Sequence, residues 1–368
     1  WFSSWLWPIS VFDSSKPGFP DREANRDLSY YYPTNDLITA PEILFFWVAR
    51  MVMAGHEFMG EVPFRNVYLT GTVRDKQGRK MSKSLGNSPD PLKLIEDYGA
   101  DGVRLGMLLC SSAGTDILFD ESQVEQGRNF SNKIWNAFRL VKGWSISEEI
   151  VQSEHSQIAV KWFDNLLSQS IETIDDHFDK FRISDALMHL YKLFWDDFCS
   201  WYLEIIKPSQ GAPIDRVTYE ATLIFFDKLL KLLHPFMPFI TEELWHNISE
   251  RKDNESIMIL DQPRSEKYDE EFINSFEQVK SAIVNIRSIR QSKNISPKEP
   301  LELFVKGALS SQMHQIFIKM GNISSVREYG EVKPENGVSF LVNTTEFTVP
   351  VGDLVNKEEE LKKVEEEI

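Results

Sequence analysis

The period of the hydrophobic pattern changes near residue 115 of this 368-residue chain, and that change constrains the fold more than any other feature. Before it, an apolar stretch with helical spacing at 42–55 and a strand-like run at 66–73 precede two short helical stretches, at 91–98 and 101–110. After it, helical spacing dominates as far as residue 291. Helix, strand, loop and helix in succession are typical of an α/β domain, and the long helical part predicts a separate bundle.

The helical part begins at a pair that resembles a capping box, Asp120 and Gln123. Apolar spacing then predicts four or five helices, with stretches at 130–141, 162–178, 187–205 and 218–233. A polar linker follows, and beyond it the sequence predicts a helix at 271–291, strands at 301–305 and 338–351, and a helix near 312–320. We therefore expect a bundle at 116–270 and a small α/β module at 271–352.

Composition excludes several classes of protein. The formal net charge of −16 argues against a globally basic nucleic-acid binder, although a local basic site remains possible on an acidic body. Cys110 and Cys199 are the only cysteines, too few for a disulfide framework or a four-cysteine zinc site. The longest apolar runs, such as 43–49, are far shorter than the roughly 20 residues that span a bilayer. We expect no membrane partner and no structural zinc.

The chain begins with Trp1 rather than Met, inside an aromatic segment typical of a protein core. A trimmed or processed terminus is one interpretation. We favour the other, in which the chain is an internal piece of a longer protein.

A basic loop stands out against the acidic background. Five cations fall within ten residues that contain a single acid, Asp75: Arg74, Lys76, Arg79, Lys80 and Lys83. Ser82 and Ser84 alternate with the last two lysines, between Gly78 and Gly86. Ammonium groups, hydroxyls and free backbone N–H groups together suit a polyphosphate, and the glycines permit movement. The competing interpretation is a solvated basic hairpin tip.

The string Lys80-Met81-Ser82-Lys83-Ser84 is identical to the signature loop of class I aminoacyl-tRNA synthetases, and it follows a predicted strand. Other segments resemble the valyl-tRNA synthetase family, and with the Lys/Glu-rich end the resemblance covers essentially the whole chain. These segments are 39–53, 62–64, 90–92, 98–101, 128–130, 132–136, 195–198, 201–204, 234–239 and 242–245.

The resemblance implies a multidomain α/β plus all-α fold. Residues 1–115 would be the second half of a Rossmann-like catalytic domain with the signature loop and a stem-contact region, and 116–270 an anticodon-binding helical bundle. The small α/β module at 271–352 and the truncated start of a coiled-coil arm at 353–368 would follow. The implied protein is a cytoplasmic, monomeric ligase that acts on ATP, L-valine and tRNA(Val), with Mg²⁺ bound to the substrate phosphates.

The resemblance also implies roles for individual residues at the nucleotide site. Lys80 and Lys83 would stabilise the β- and γ-phosphates, while Ser82 and Ser84 would shape the loop or donate hydrogen bonds. No protein nucleophile is needed, because the valine carboxylate attacks the α-phosphate; catalysis is then positioning and charge stabilisation.

Two further pairs of residues follow from the family pattern. Trp1 and Trp47 would line the valine pocket, where a rigid aromatic wall excludes the extra methylene of isoleucine; plain core packing is the alternative for Trp47. Many relatives carry Thr-Gly-x-Asp where this chain has Ala40 and Glu42. Glu42 would still accept bonds from the ribose hydroxyls, whereas Ala40 allows a less close backbone approach.

For tRNA, four residues of the helix after Asp120 share one face at i, i+3, i+4 and i+7: Asn129, Asn132, Lys133 and Asn136. Asn132, Lys133 and Asn136 are candidate tRNA contacts, with Arg128 as a candidate phosphate contact. Hydrogen bonding to a neighbouring domain is the alternative for the amides. The anticodon is expected to be read in the bundle through stacked, exposed bases.

Two family elements are not found in this sequence. None of the seven histidines lies in a His-x-Gly-His string, and the editing domain is absent. We therefore expect the chain alone to form no adenylate. The open alternatives are a sister enzyme for isoleucine, leucine or methionine, and a non-catalytic tRNA-binding or assembly module.

Overall fold

A computed structural model describes residues 2–12, 21–111, 114–252, 254–307, 309–332 and 334–352. These residues form two compact units. The first holds the described residues up to 132 together with Ile174–His189 and Phe236–Ile240, and the second holds the rest. Trp1 and the predicted coiled-coil start at 353–368 lie outside the described residues.

The first part of the chain alternates helices and strands. In order they are α1 (Phe2–Trp5), α2 (Trp7–Ser10), α3 (Arg26–Tyr31), β1 (Thr34–Thr39), α4 (Ala49–Met59), β2 (Phe64–Leu69), β3 (Val73–Arg74), α5 (Pro91–Tyr98), α6 (Ala100–Leu109) and β4 (Ile117–Leu118). β1 and β2 pair in parallel, and so do β3 and β4. Parallel neighbours require a crossover, which α4 supplies between β1 and β2. The predicted α/β character of this part is confirmed.

The prediction of one buried helix from 42 to a cap at Gly55 is wrong. Pro41–Ile43 is a 3₁₀ turn, Leu44–Val48 a π-helix, and α4 continues through Gly55 to Met59 before Gly60 ends it with φ 76°. The segment is not buried either, since Phe45 is 75% exposed and Val48 is the one buried residue of the π-helix. Gly55 serves close packing instead, since a Cβ there would lie 2.8 Å from the Glu61 carbonyl oxygen.

The strand predicted at 66–73 is in fact two strands. β2 begins two residues earlier, at Phe64, and ends at Leu69, and β3 starts only at Val73. Gly71 lies in the break, where the Thr115 carbonyl oxygen would be 1.6 Å from an added Cβ. The close approach of this neighbouring segment therefore leaves no room for a side chain at residue 71.

The predicted helical bundle is confirmed. Its elements are α7 (Glu121–Lys142), β5 (Ile146–Ser147), α8 (Glu154–Asp179), α9 (Ile183–Lys192), a π-helix (Leu193–Tyr202), α10 (Leu203–Ile206), β6 (Ile214–Asp215), α11 (Arg216–Leu233) and α12 (Pro238–Ile248). Phe163 lies at the centre of an aromatic core, with its ring centroid 5.1–5.2 Å from those of Phe198, Tyr202 and Phe225. α7 starts where the Asp120–Gln123 pair predicts, and the Asp120 carboxylate accepts a bond from the Ser122 N–H.

The last described part is a four-stranded sheet with two helices. Its elements are α13 (Glu270–Ser292), β7 (Leu301–Lys306), α14 (His314–Gly321), β8 (Ile323–Glu328), β9 (Gly337–Val342) and β10 (Thr345–Pro350). The strand order is β8-β7-β10-β9, with β7 and β8 parallel. The single strand predicted at 338–351 is wrong, because a turn at Asn343 (φ 54°) folds it into a hairpin. β8 was not predicted.

Candidate functional site

The basic loop begins with a tight turn after β3. The Gly78 N–H donates to the Asp75 carbonyl at 2.8 Å, and the Asp75 N–H donates to the Arg79 carbonyl at 3.0 Å. Lys80 then forms an antiparallel bridge with Arg74. The turn thus brings the start of the signature string back beside β3.

Asp75 links the two ends of this loop. Its carboxylate accepts bonds from the Arg79 N–H (2.9 Å), the Arg79 Nε (2.7 Å) and the Asn87 Nδ2 (2.9 Å). Asn87 in turn accepts a bond from the Ser82 N–H at 2.9 Å. The bond from Asn87, followed by those from Arg79, lowers the pKa of Asp75 to about 2. The one acid of the basic segment is therefore its central hydrogen-bond acceptor.

Both serines of the signature string shape the loop. Lys83–Leu85 is a 3₁₀ turn, and the Ser82 hydroxyl accepts a bond from the Leu85 N–H at 3.3 Å. The Ser82 and Ser84 hydroxyls lie 3.1 Å apart. Gly86 ends the turn with φ 63°, a conformation that favours glycine.

Three of the five cations are neutralised by carboxylates. Arg79 pairs with Asp75, Arg74 pairs with Asp116, and Lys76 lies 2.9 Å from Asp120. Lys80 and Lys83 are exposed, and within the described ranges neither ammonium forms an ion pair. The unpaired positive charge of the loop therefore resides on the two lysines that the sequence selects for phosphate binding.

Glu42 lies near this loop. Its carboxylate accepts a bond from the Thr72 hydroxyl at 2.7 Å. That bond is the main cause of the lowered pKa of Glu42, and the charge of Lys80 also lowers the pKa. Ala40, the other residue of the pair, is half-buried in extended conformation, with φ −90°.

Sequence reasoning missed several residues that build this site. Thr72 and Asp116 belong to no motif, and their role depends on the pairing of β3 with β4. The sequence did indicate Asp75 and Asn87, because they are compact polar residues that flank the glycine-bounded string.

Trp47 lies in a small hydrophobic cluster. It is half-buried against buried residues that include Leu37, Val48 and Met51, and its indole Nε1 donates to the Ser4 carbonyl at 3.0 Å. Its ring centroid is 6.0 Å from that of Trp7. Core packing thus accounts for part of its environment, and its valine-pocket role stays a prediction. Trp1 lies outside the described residues.

The amide stripe on α7 faces solvent. Asn129, Asn132 and Asn136 are exposed, and in the described part of the chain their side chains form no hydrogen bond. In the alternative interpretation these amides bond to a neighbouring domain, but none of those residues is a partner for them.

The cations on the same helix are engaged with other side chains. The Lys133 ammonium lies 5.2 Å above the Trp195 ring centroid. Arg128 pairs with Glu125 at 3.1 Å and lies 5.3 Å above the Tyr98 ring. Among these candidates, the amides are the groups that are free to bind a ligand.

Family models match two segments of the chain. Residues 1–120 match "tRNA synthetases class I (I, L, M and V)", and residues 160–305 match "Anticodon-binding domain of tRNA ligase". The signature loop lies in the first segment and most of the bundle in the second. Among the described residues, no helix combines the length and apolar character needed to cross a membrane.

Curated relatives match along the whole chain. The valine–tRNA ligase of Parabacteroides distasonis is 57% identical over 368 residues, and that of Phocaeicola vulgatus is 56% identical over 369. The chain spans 42% and 41% of the length of these two relatives. LeuRS of Agrobacterium radiobacter K84, solved in a ternary complex with tRNA and LeuAMS, shares the fold with a TM-score of 0.54 at 20% identity, covering 73% of this chain and 33% of that one.

Proposed function

We propose that the chain is part of a class I tRNA synthetase and that it serves valine–tRNA ligation in the cytoplasm. In that reaction ATP and L-valine give valyl-adenylate and pyrophosphate, and the valyl group then passes to tRNA(Val). We assign residues 1–115 to the catalytic domain, 116–270 to the anticodon-binding bundle and 271–352 to an accessory module. A monomer is the expected state.

The charge distribution of the signature loop carries this proposal. Lys80 and Lys83 keep unpaired ammonium groups, while the other three cations of the loop are neutralised by carboxylates. Two such point charges would bind the β- and γ-phosphates and stabilise the charge that develops when the valine carboxylate attacks the α-phosphate. Glu42 would accept hydrogen bonds from the ribose hydroxyls.

Magnesium would arrive with the nucleotide. In the described residues, no group of three or more His, Cys, Asp or Glu side chains is placed to hold a metal ion. A Mg²⁺ ion usually keeps several of its waters and is bound through substrate phosphates together with one or two carboxylates. When bound, the ion would neutralise phosphate charge alongside Lys80 and Lys83.

The test is valine-dependent pyrophosphate exchange by a longer protein that contains this chain together with a His-x-Gly-His element. Lys83→Ala should reduce the exchange rate by about 10²–10³-fold, because it removes one donor to the developing charge. Lys76→Ala is the matched control, since that ammonium is already paired with Asp120. Near-wild-type exchange by Lys83→Ala would contradict the proposal, and exchange with isoleucine, leucine or methionine instead would assign a sister enzyme.

Trp1 and Trp47 remain our proposed valine-pocket residues, and the exposed amides our proposed tRNA contacts. Asn132→Ala with Asn136→Ala should weaken tRNA binding without changing its salt dependence, because no charge is removed. Unchanged affinity in that double variant would remove the amides from the interface.

A further inference from the structure

A groove of about 780 Å³ lies in the first unit and shares no lining residue with the signature loop. One wall is the Arg65–Leu69 segment of β2, and the other is the turn from α8 into α9, residues 180–185. The Ser184 hydroxyl holds this second wall against α6 by donating to the Leu108 carbonyl at 3.0 Å. The second wall is thus anchored to α6.

The lining of the groove is positively charged within an acidic chain. Arg65, Lys180 and Arg182 contribute three cations, against the single carboxylate of Asp185. Lys180 pairs with Asp176 at 2.7 Å. The guanidinium groups of Arg65 and Arg182 are exposed, and neither forms an ion pair within the residues that the structure describes.

Two aromatic rings accompany these cations. The ring centroids of Tyr68 and Phe181 lie 6.0 Å apart across the groove walls, and Phe181 is 37% exposed. Phe181 has φ 55°, a left-handed conformation that is rare for a bulky residue. Two backbone bonds hold this turn: from the Phe181 N–H to the Phe178 carbonyl (2.9 Å) and from the Arg182 N–H to the His177 carbonyl (2.8 Å). A left-handed residue with this bond pattern is a Schellman-type cap, so the end of α8 fixes the backbone position of Phe181.

The β2 edge adds backbone groups. Among the described strands β2 pairs only with β1, so the backbone groups of its other edge are not used in a sheet, and its residues 65–69 line the groove. Gly114 occupies one end of that edge by donating to the Leu69 carbonyl at 2.9 Å. Unpaired cations, backbone donors and aromatic rings are the groups that bind a nucleic-acid backbone and stack on its rings.

We propose that this groove binds the phosphodiester backbone of tRNA. Arg65 and Arg182 each contact a phosphate, and a nucleoside ring stacks on Phe181 beside Tyr68. This inference rests on the proposed function, because it supplies a second contact region for the same RNA. An acidic polypeptide would satisfy the cations but would leave the aromatic rings without a role.

The test measures binding of the full 368-residue chain to a tRNA(Val) transcript by fluorescence anisotropy, at several KCl concentrations. The double variant Arg65→Gln with Arg182→Gln should reduce the slope of log K against log [KCl] by about 1.4–1.8, since two phosphate contacts are lost. Arg216→Gln is the matched control, because this exposed arginine is paired with Glu148 and Glu220 outside the groove. It should keep the wild-type slope.

A second variant tests stacking. Phe181→Asn removes the ring but keeps a residue that tolerates the left-handed backbone. It should weaken tRNA binding by about 5- to 100-fold with the salt slope unchanged. Circular dichroism spectra of the variants establish that each is folded.

The outcomes separate the two proposals. Wild-type tRNA binding with no change in the double variant would overturn the groove assignment and leave the proposed function intact. Absence of tRNA binding by the wild-type chain would overturn both. A third outcome is that polyglutamate binds the wild-type chain as tightly as tRNA does and that the double variant loses both kinds of binding equally. That result would assign the groove to acidic polypeptides and overturn the RNA assignment.

Discussion

Arg290 offers the sharpest test of how the last part of the chain is held together. It lies on α13 with 5% of its surface exposed. Its Nη1 donates to the carbonyls of Ser296 (3.0 Å) and Glu299 (2.7 Å), and its Nη2 to those of Gly321 and Asn322 (both 3.1 Å). A single guanidinium thereby joins the end of α13 to the segments that lead into β7 and β8. We predict that Arg290→Met destabilises this region.

The size of this destabilisation is worked out from the hydrogen bonds that the substitution removes. A hydrogen bond from a charged donor contributes about 1.5–3 kcal/mol. Three of the carbonyls keep a second donor after the substitution: Ser296 from the Glu299 N–H, Asn322 from the Leu301 N–H, and Glu299 from the Asn322 side chain. Methionine also removes the cost of burying a charge. We therefore expect a net loss of about 3–5 kcal/mol, below the simple sum of four bonds.

Hydrogen exchange followed by mass spectrometry measures this loss locally, without assuming two-state unfolding of the whole chain. Peptides from β7 and β8 should exchange about 10²-fold faster or more in Arg290→Met, since 1.4 kcal/mol corresponds to a factor of ten. Arg287→Met is the control, because that exposed arginine, one turn earlier, makes one backbone bond, to Met320. Equal exchange in the two variants would refute the assignment of Arg290 as the joining residue.

Four further predictions concern the loop, the packing between α8 and α13, and the whole chain. Asn87→Ala should raise the pKa of Asp75 from about 2 toward its ordinary value, as measured by carboxyl NMR titration; an unchanged pKa would show that Asn87 is not its main partner. Because that pKa is lowered by folding, the order of the loop that depends on the Asp75 carboxylate should be complete above about pH 4 and lost as the pH falls through about 2. Phe276→Ala should destabilise the packing around Trp162 by about 3–5 kcal/mol, because it removes a fully buried ring. The measurement is urea unfolding followed by Trp fluorescence, and an unchanged midpoint urea concentration would contradict the prediction. The chain alone should show no valine-dependent pyrophosphate exchange, and measurable exchange would show that the nucleotide site needs no His-x-Gly-His element.

The local sequence pattern was sufficient to predict most of the helices and strands. Helices with sustained apolar spacing, such as α8 and α11, were predicted because packing and periodicity agree there. The failures lie elsewhere along the chain. The break at Gly71 accompanies the close approach of Thr115, which is remote in sequence, and the hairpin turn depends on the left-handed Asn343. Nothing in the structure accounts for the π turn at Leu44–Val48.

The same division holds for the functional site. The signature string, its place after a strand and the kinship that the string implies all follow from residue identity and order alone. Which charges of the basic loop are free depends instead on the folded chain. The sequence shows five cations and one acid in that segment, but Asp116 and Asp120 neutralise Arg74 and Lys76 from more than 40 residues away. Whether a charge is paired depends on distances in space rather than on sequence order. The unpaired charge on Lys80 and Lys83 could therefore be identified only from the folded chain.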